Sequence, residues 1–182
     1  EAMGGNEELD TELFTGALAQ LMEQGLVTDA VIAQSARERD ALWAVREDLQ
    51  PGLTPLRPFV AYDVSMAIAD MPSFVEAARQ ALLKAYPEAK VMFYGHAGDG
   101  NLHAAVSVGR MDEEVKRGFD TAVYSAVRTV GGSISAEHGV GVERAPYLGW
   151  TRSESELALM RKLKQAIDPD GILNPGKLLG AM

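Results

Sequence analysis

Apolar residues recur three or four positions apart in several stretches of the chain, which places them on one face of an α-helix. Three of these stretches open on a Ser-x-x-Glu capping box, the signature of a helix N-terminus. The pattern therefore predicts a chain rich in amphipathic helices. The predicted helices cover Thr11–Gln24, 35 to about 49, a stretch from Ser73, a long stretch from about Asp112, and 153 to about 167.

Short runs of β-branched and aromatic residues lie between these helices and are typical of strands. We predict a short buried strand at Ala30–Ala33 and longer strands at Phe59–Met66, Lys90–Tyr94 and Leu102–Val108. The last two flank Gly98–Asn101, whose residues tolerate positive φ and close tight turns, so they are predicted to form a hairpin. The order of helices and strands predicts an α+β fold, with a mainly antiparallel sheet covered on one side by helices.

Length and composition are those of an ordinary globular domain. With 182 residues, 47% of them hydrophobic and 24% charged, the chain fits one domain over residues 1–182 with ample length to bury a core. No apolar run approaches the roughly 20 residues that span a bilayer. The acidic segment Glu1–Asp10 does not resemble a signal peptide. We therefore expect a soluble, cytoplasmic protein.

Charge and cysteine content exclude several kinds of function. The net charge of −9 argues against binding to nucleic acid, whose phosphates need a basic surface. An anionic substrate would have to be held by local cations or by a metal. The sequence has no cysteine, which excludes disulfides, a thiolate zinc site and a cysteine nucleophile.

All three histidines lie in glycine-flanked segments. If the hairpin turn is centred on Gly98–Asn101, His96 lies opposite His103, and directly opposed side chains have Cβ atoms roughly 4.5–5.5 Å apart. Both imidazoles could then reach one metal ion about 2.0–2.1 Å from each nitrogen. Glu137 could complete a His/His/carboxylate set with open coordination positions. The spacing also fits histidines that are hydrogen-bonded beside a tight turn, so both interpretations stay open on these residues alone.

Three motifs resemble those of a known family. They are Gly-His-Ala-Gly-Asp-Gly-Asn-Leu-His at 95–103, Ser-Ala-Glu-His-Gly-Val-Gly at 135–141 and Leu-Asn-Pro-Gly-Lys at 173–177. In this order they resemble the C-terminal half of the FAD-linked 2-hydroxy acid dehydrogenases. That family includes D-lactate dehydrogenases, the FAD subunit of glycolate oxidase and D-2-hydroxyglutarate dehydrogenase. The likeness runs from about residue 12 to the end of the chain.

The resemblance implies a fold, a cofactor and a partner domain. The family's substrate-covering cap domain is an α+β, ferredoxin-like unit, and most of the FAD contacts come from a separate N-terminal domain. No glycine-rich dinucleotide fingerprint follows a strand in this chain. We therefore expect the C-terminal domain of a larger enzyme, which works with the FAD-binding domain of the same polypeptide. On its own, this chain is expected neither to bind FAD nor to catalyse the reaction. The sequence leaves open whether the protein forms a homodimer.

The resemblance also assigns roles to the residues of the candidate site. His96, His103 and Glu137 match the family's metal ligands, usually taken as zinc, although their chemistry would also suit Mn²⁺ or Fe²⁺. The metal would hold the substrate's carboxylate and hydroxyl. His138 matches the catalytic base, a role for which an imidazole is suited near neutral pH. The alternative for His138 is a histidine that stabilises a helix terminus.

Two further residues match substrate and cofactor contacts. Arg46 matches an arginine that helps to bind the substrate carboxylate, and a guanidinium is suited to bidentate capture. Otherwise Arg46 is an exposed helix residue paired with Glu47 or Asp48. Asn174 matches a position near the flavin, or else it belongs to a simple C-terminal turn. Ala61 is a departure, because D-2-hydroxyglutarate-type members tend to carry lysine there, and the missing cation argues against a dicarboxylate substrate.

Three functions follow from these assignments. The first is that of the substrate- and metal-binding domain of an FAD-dependent oxidoreductase. Such an enzyme oxidises a small D-2-hydroxy acid, of the lactate, glycolate or 2-hydroxyglutarate type, to the 2-oxo acid. His138 would take the hydroxyl proton while hydride passes to the flavin. The second is a self-contained His/His/Glu metal-dependent hydrolase, and the third is a non-catalytic metal-binding module.

Overall fold

The computed structural model describes residues 4–96 and 98–179 of the protein. The chain divides into two compact units, Glu1–Leu49 and Gln50–Met182. The N-terminal unit contains helices α1 (Glu7–Glu23) and α2 (Ala36–Glu47), and none of residues 4–49 is buried. Within the described residues, no helix is both long enough and apolar enough to cross a membrane.

One predicted element of the N-terminal unit is wrong. Ala30–Ala33 forms no strand, and the side chain of Val31 is 78% exposed. A short apolar run forms a buried strand only where neighbouring strands satisfy its backbone groups. The three strands that pair into a sheet in the described parts of the chain all lie in the C-terminal unit.

The C-terminal unit is built on a sheet with two long helices against it. The sheet has the order β1-β3-β2, and both pairings are antiparallel. The two long helices, one before and one after the hairpin, contact each other. The strands are β1 (Val60–Ser65), β2 (Lys90–His96) and β3 (Asn101–Ser107), and the helices are α3 (Gln50–Leu53), α4 (Met71–Ala85), α5 (Glu113–Thr129), α6 (Gly141–Arg144) and α7 (Glu154–Ile167).

The two faces of the sheet have different characters. Side chains alternate between the faces of a strand, so Leu102, Ala104 and Val106 of β3 point to one face and enter the core. Phe74 of α4 and Phe119 of α5 are fully buried in the same core. His103, in the same strand, is therefore directed to the opposite face. The predicted α+β fold with an antiparallel sheet covered by helices is confirmed.

The order of elements follows that of a ferredoxin-like unit, although the residues that the structure describes form no fourth strand at the edge of β1. The sequence β1-α4-β2-β3-α5 gives the β-α-β-β-α part of that arrangement. At the outer edge of β1, a single antiparallel bridge joins Ser65 to Ser133. After this bridge the chain leaves the edge of the sheet, and the segment that carries Glu137 and His138 follows at once.

The hairpin has a different register from the predicted one. Tyr94, rather than His96, lies opposite His103, and His96 pairs with Asn101. Asn101, which was expected in the turn, is the first residue of β3, so the turn is centred one residue earlier than predicted. Such a change moves the pairing by two residues, and a shift of two keeps every side chain on its face. His96 and His103 therefore still share one face, as diagonal rather than direct neighbours.

The three predicted capping boxes have different outcomes. The box at Ser153 is confirmed, with both of its reciprocal hydrogen bonds present. Ser35 caps α2 as expected, although the carboxylate of Glu38 accepts from the backbone N–H of Gln34. The box at Ser73 is wrong, because α4 already begins at Met71, and the Ser73 hydroxyl donates to the carbonyl of Asp70.

Candidate active site

The candidate site begins on the face of the sheet opposite the helices. Asp63, His103 and Tyr94 lie side by side on β1, β3 and β2. The ring of His103 has its centroid 5.2 Å from that of Tyr94 and 6.0 Å from that of His96. The side chain of His103 is only 13% exposed, so the sheet and its neighbours hold this imidazole in place.

The segment after the sheet edge is bent by one carboxylate. Oδ2 of Asp63 accepts hydrogen bonds from the backbone N–H groups of Ala136 (3.1 Å), Glu137 (3.0 Å) and His138 (2.9 Å). Successive residues of an extended segment point to opposite sides, so Glu137 and His138 can serve one site only if the backbone turns. The structure has this turn, and Gly139, with φ +75°, continues it.

The turn brings Glu137 and His138 onto the hairpin. Oε1 of Glu137 lies 3.6 Å from Nε2 of His103 and 3.5 Å from Nε2 of His138. The rings of His103 and His138 are stacked, with centroids 5.7 Å apart. The side chains of Glu137 and His138 are about half exposed, so a small ligand can reach them from solvent.

Asp63 is the member of this cluster that the sequence did not single out. It lies in the middle of a strand predicted from its apolar residues, and a charged residue at such a position was the available signal. Burial by itself raises the pKa of the Asp63 carboxyl, but the backbone hydrogen bonds from His138 and Glu137 outweigh it and hold the pKa below the usual range. Asp63 is therefore a carboxylate at neutral pH.

Glu137 has two imidazole nitrogens at the spacing that a metal site requires. Two donors on one tetrahedral ion, each about 2.0–2.2 Å from it, lie roughly 3.3–3.6 Å apart. The distances from Glu137 to both imidazoles, 3.6 Å and 3.5 Å, match this spacing. Among the residues that the structure describes, the three donors that lie within 4.8 Å of one another are those of Asp63, Glu137 and His138. This group shares only Glu137 with the predicted ligand set of His96, His103 and Glu137. Imidazole and carboxylate donors of this kind fit a divalent ion such as Zn²⁺.

Arg46 and Asn174 are the two predicted contacts that do not belong to the cluster of Asp63, His103, Glu137 and His138. Arg46 is on α2 in the N-terminal unit, where its guanidinium lies 2.6 Å from Oε1 of Glu47 and over the ring of Trp43. It also lines a cavity of about 640 Å³ within that unit. Asn174 lies in the C-terminal tail with φ +48°, and its carbonyl accepts from the backbone N–H of Lys177. The ion pair and the turn are the local arrangements expected as alternatives, and the roles of both residues stay predictions.

Comparison with known proteins gives a consistent result. The sequence profile of a family described as "FAD linked oxidases, C-terminal domain" matches residues 1–178. A D-2-hydroxyglutarate dehydrogenase of Xanthomonas citri pv. viticola is 41% identical over 179 residues, which cover 94% of this chain and 37% of that protein. The mitochondrial D-2-hydroxyglutarate dehydrogenase of Arabidopsis thaliana is 36% identical, over 98% of this chain and 32% of its own length. The mitochondrial enzyme of the same name from Rattus norvegicus is 36% identical, over 100% and 34%. The chain thus spans about a third of the length of the relatives it matches.

Proposed function

This chain belongs to the FAD-linked oxidases as their C-terminal domain, and we propose that residues 1–182 act as one substrate- and metal-binding domain of an FAD-dependent oxidoreductase. The reaction is the oxidation of a small D-2-hydroxy acid to the 2-oxo acid. The observation that carries the proposal is the convergence of His103, Glu137 and His138 on one solvent-accessible face. A self-contained hydrolase is not favoured, because the family is one of oxidases and the relatives are named as dehydrogenases.

In this proposal, His96, His103 and Glu137 hold a divalent metal, with zinc the best match to their donors. When bound, such an ion acts as a Lewis acid on the substrate hydroxyl. His96 and His103 reach the site from two adjacent strands, whereas Glu137 reaches it from the bent segment. The ligands therefore come from separate parts of the C-terminal unit, and the turn at 136–138 is what completes the set.

His138 is the group that takes the hydroxyl proton. Its imidazole is about half exposed, which leaves room for a substrate beside it. Oε1 of Glu137 lies 3.5 Å from Nε2 of His138, so a carboxylate stands beside the ring that would receive the proton.

FAD is the hydride acceptor of this family's chemistry, and we propose that another domain of the same polypeptide supplies most of its contacts. Asn174 in the C-terminal tail is proposed as a contact from this chain. The chain spans about a third of the length of these relatives, which leaves room in them for a separate FAD-binding domain. A cytoplasmic location and a homodimer stay predictions, and two of the three relatives described above are named as mitochondrial.

The substrate is proposed to be a 2-hydroxy acid whose carboxylate is bound by Arg46. A guanidinium can hold a carboxylate through two parallel hydrogen bonds. Ala61 offers no second cation on β1, so a small monocarboxylate such as lactate or glycolate fits this chain better than a dicarboxylate. The names of the relatives point towards 2-hydroxyglutarate, and a substrate panel distinguishes the two.

The test uses the full-length polypeptide under anaerobic conditions. D- and L-lactate, glycolate and D-2-hydroxyglutarate are mixed with it, and bleaching of the flavin absorbance is followed. We expect bleaching by D-2-hydroxy acids, fastest with a monocarboxylate. The His138→Asn variant should retain its metal and lose a factor of roughly 10² to 10⁴ in kcat. Glu137→Gln should lose metal, and Glu143→Gln, which alters an exposed carboxylate on α6, serves as the matched control.

Two results would contradict the proposal. Flavin that no 2-hydroxy acid bleaches, in protein that holds metal, would rule out the reaction. Metal content that is unchanged in a His96→Ala/His103→Ala double variant, measured by elemental analysis, would rule out the ligand set.

A further inference from the structure

Asp63 differs from an ordinary buried carboxylate in how its two oxygens are used. Its side chain is 1% exposed. Oδ2 accepts three backbone N–H groups, whereas Oδ1 is buried and has no hydrogen-bond partner among the residues that the structure describes. A buried acceptor without a partner destabilises the folded state by about 1–3 kcal/mol, and more when it is charged. Stability alone does not explain this arrangement.

The unpartnered oxygen faces the candidate site. Oδ1 of Asp63 lies 3.6 Å from Nδ1 of His103. A normal N–H···O hydrogen bond is about 2.7–3.2 Å long, so a shift of roughly half an ångström would close this contact. The other ring nitrogen of His103, Nε2, faces Oε1 of Glu137. One imidazole is thus placed between a buried carboxylate and the proposed metal position.

Oδ2 of Asp63 is not available as a metal ligand, although it lies close to Glu137 and His138. A carboxylate oxygen has two in-plane lone pairs, and Oδ2 already accepts three N–H groups. Those three groups belong to the residues that carry Glu137 and His138 into the site. Asp63 acts on the site through its neighbours rather than on a ligand directly.

We infer that Asp63 is a positioning residue with two simultaneous tasks. Oδ2 holds the turn that presents Glu137 and His138, and Oδ1 accepts the Nδ1–H of His103. The second contact fixes the tautomer of His103, because a neutral imidazole that carries its proton on Nδ1 has a free lone pair on Nε2. Nε2 is then the nitrogen that faces Glu137 and can bind a metal. The inference rests on the proposed function, since it gives His103 the role of a metal ligand.

The discriminating variant is Asp63→Asn in the full-length polypeptide. The amide oxygen can take the place of Oδ2 and keep the three backbone hydrogen bonds. The amide NH₂ then faces Nδ1 of His103 as a donor, which forces the proton of the ring onto Nε2 and blocks metal binding there. We expect Zn²⁺ affinity, measured by competition with a chelator, to fall by roughly 10- to 100-fold. The tautomer is measured separately by two-bond ¹H–¹⁵N correlations of ¹⁵N-histidine-labelled, metal-free protein.

Asp120, another well-buried aspartate of the C-terminal unit, offers a matched control. Asp120 is 3% exposed and accepts hydrogen bonds from the hydroxyl of Tyr62 (2.8 Å) and the ammonium of Lys116 (3.2 Å). Asp120→Asn therefore removes a buried negative charge without touching the site. It should lower stability yet leave the Zn²⁺ affinity and the His103 tautomer unchanged.

Several outcomes decide the inference. An Nδ1–H tautomer in the unaltered protein that changes to Nε2–H in Asp63→Asn supports it. An Nε2–H tautomer in the unaltered metal-free protein overturns it, and that measurement stands even if Asp63→Asn fails to fold. Zn²⁺ affinity and a tautomer that are the same in Asp63→Asn and Asp120→Asn also overturn it. If the unaltered protein binds no metal, the proposed metal site fails, while the tautomer still decides the role of Asp63.

Discussion

Helices α1 and α5 have the same length and opposite surroundings. Each contains 17 residues, and each begins after a capping side chain, Asn6 for α1 and Asp112 for α5. None of the residues of α1 is buried, whereas eight residues of α5 are. The difference arises because α5 packs against α4 and β1. Local signals therefore suffice to start a helix, but burial depends on partners far away in the sequence.

The same contrast holds for the two compact units as wholes. In the N-terminal unit, Leu13, Val31 and Val45 are 62%, 78% and 77% exposed. In the C-terminal unit, Phe74 and Phe119 are fully buried. Apolar side chains that stay in water contribute little to the free energy of folding, whereas complete burial of such a side chain contributes about 1.5–3 kcal/mol. The stability of this chain should thus reside mainly in residues 50–179.

The largest expected loss of stability is that of Phe119→Ala in the C-terminal unit, which is compared with Phe14→Ala in the N-terminal unit. Phe119→Ala removes a ring that is fully buried against Tyr86, with ring centroids 5.0 Å apart. We expect the free energy of unfolding to fall by roughly 3–5 kcal/mol. Phe14→Ala, at a residue that is 37% exposed, should lower it by much less. Urea titration followed by circular dichroism measures both, and equal losses would show that the N-terminal unit is as tightly packed as the C-terminal one.

Two glycines with similar backbone angles make the second comparison. Gly100 in the hairpin turn has φ +76°, and a Cβ added there would lie 2.2 Å from the carbonyl oxygen of Met66. Gly25 after α1 has φ +69° and nothing within 4 Å of an added Cβ. Gly25→Ala should destabilise by about 1 kcal/mol through backbone strain alone. Gly100→Ala adds a backbone clash, so we expect roughly 2–4 kcal/mol.

The midpoint of thermal unfolding of each glycine variant gives the ranking. A Gly100→Ala protein as stable as Gly25→Ala would mean that the hairpin turn moves freely away from Met66. In that case the hairpin would not hold His96 and His103 in a fixed position.

The smallest expected effect is on the loss of folding stability at acidic pH. The hydrogen bond from Lys164, assisted by the backbone N–H groups of Leu173 and Ile172, holds the pKa of the Asp168 carboxyl below its usual value of 3.8. A lowered pKa in the folded state gives stability that is fully present above the unfolded pKa and is lost as pH falls through the folded value. Asp168→Asn should therefore lower stability at pH 7 and flatten its decline below about pH 4. Urea midpoints at pH 7, 5 and 3 test this.

Asp170→Asn is the control for the acid experiment, because Asp170 is an exposed residue of the same turn. It should leave the pH profile as it is. A profile that is flattened equally by both substitutions would show that the effect comes from net charge and not from the contact between Asp168 and Lys164.

The elements that sequence predicted well are those set by local chemistry. The spacing of apolar residues and the capping side chains locate the helices, and the glycines locate the turn of the hairpin. His96 and His103 were placed on one face correctly because the predicted and the observed hairpin both have an even number of residues between paired positions. The direct pairing of these two histidines was wrong, because the register depends on which residue closes the turn.

What sequence could not predict depends on contacts between distant residues. Asp63 bonds to residues more than 70 positions away, and no local pattern indicates such a contact. Ala30–Ala33 has the composition of a strand, but no neighbouring strand pairs with it in the described structure. In both cases the local sequence is compatible with more than one conformation or contact, and the tertiary structure determines which of them forms.

The backbone clamp at Asp63 has a consequence for how the site can evolve. The three groups that it holds at 136–138 are main-chain N–H groups, which every residue except proline possesses. The shape of the turn is therefore largely independent of the side chains that it displays. A descendant of this chain could carry other side chains in place of Glu137 or His138 and still keep the same backbone turn. The Asp63 carboxylate thus fixes the backbone at 136–138, while the functional side chains on that backbone can change.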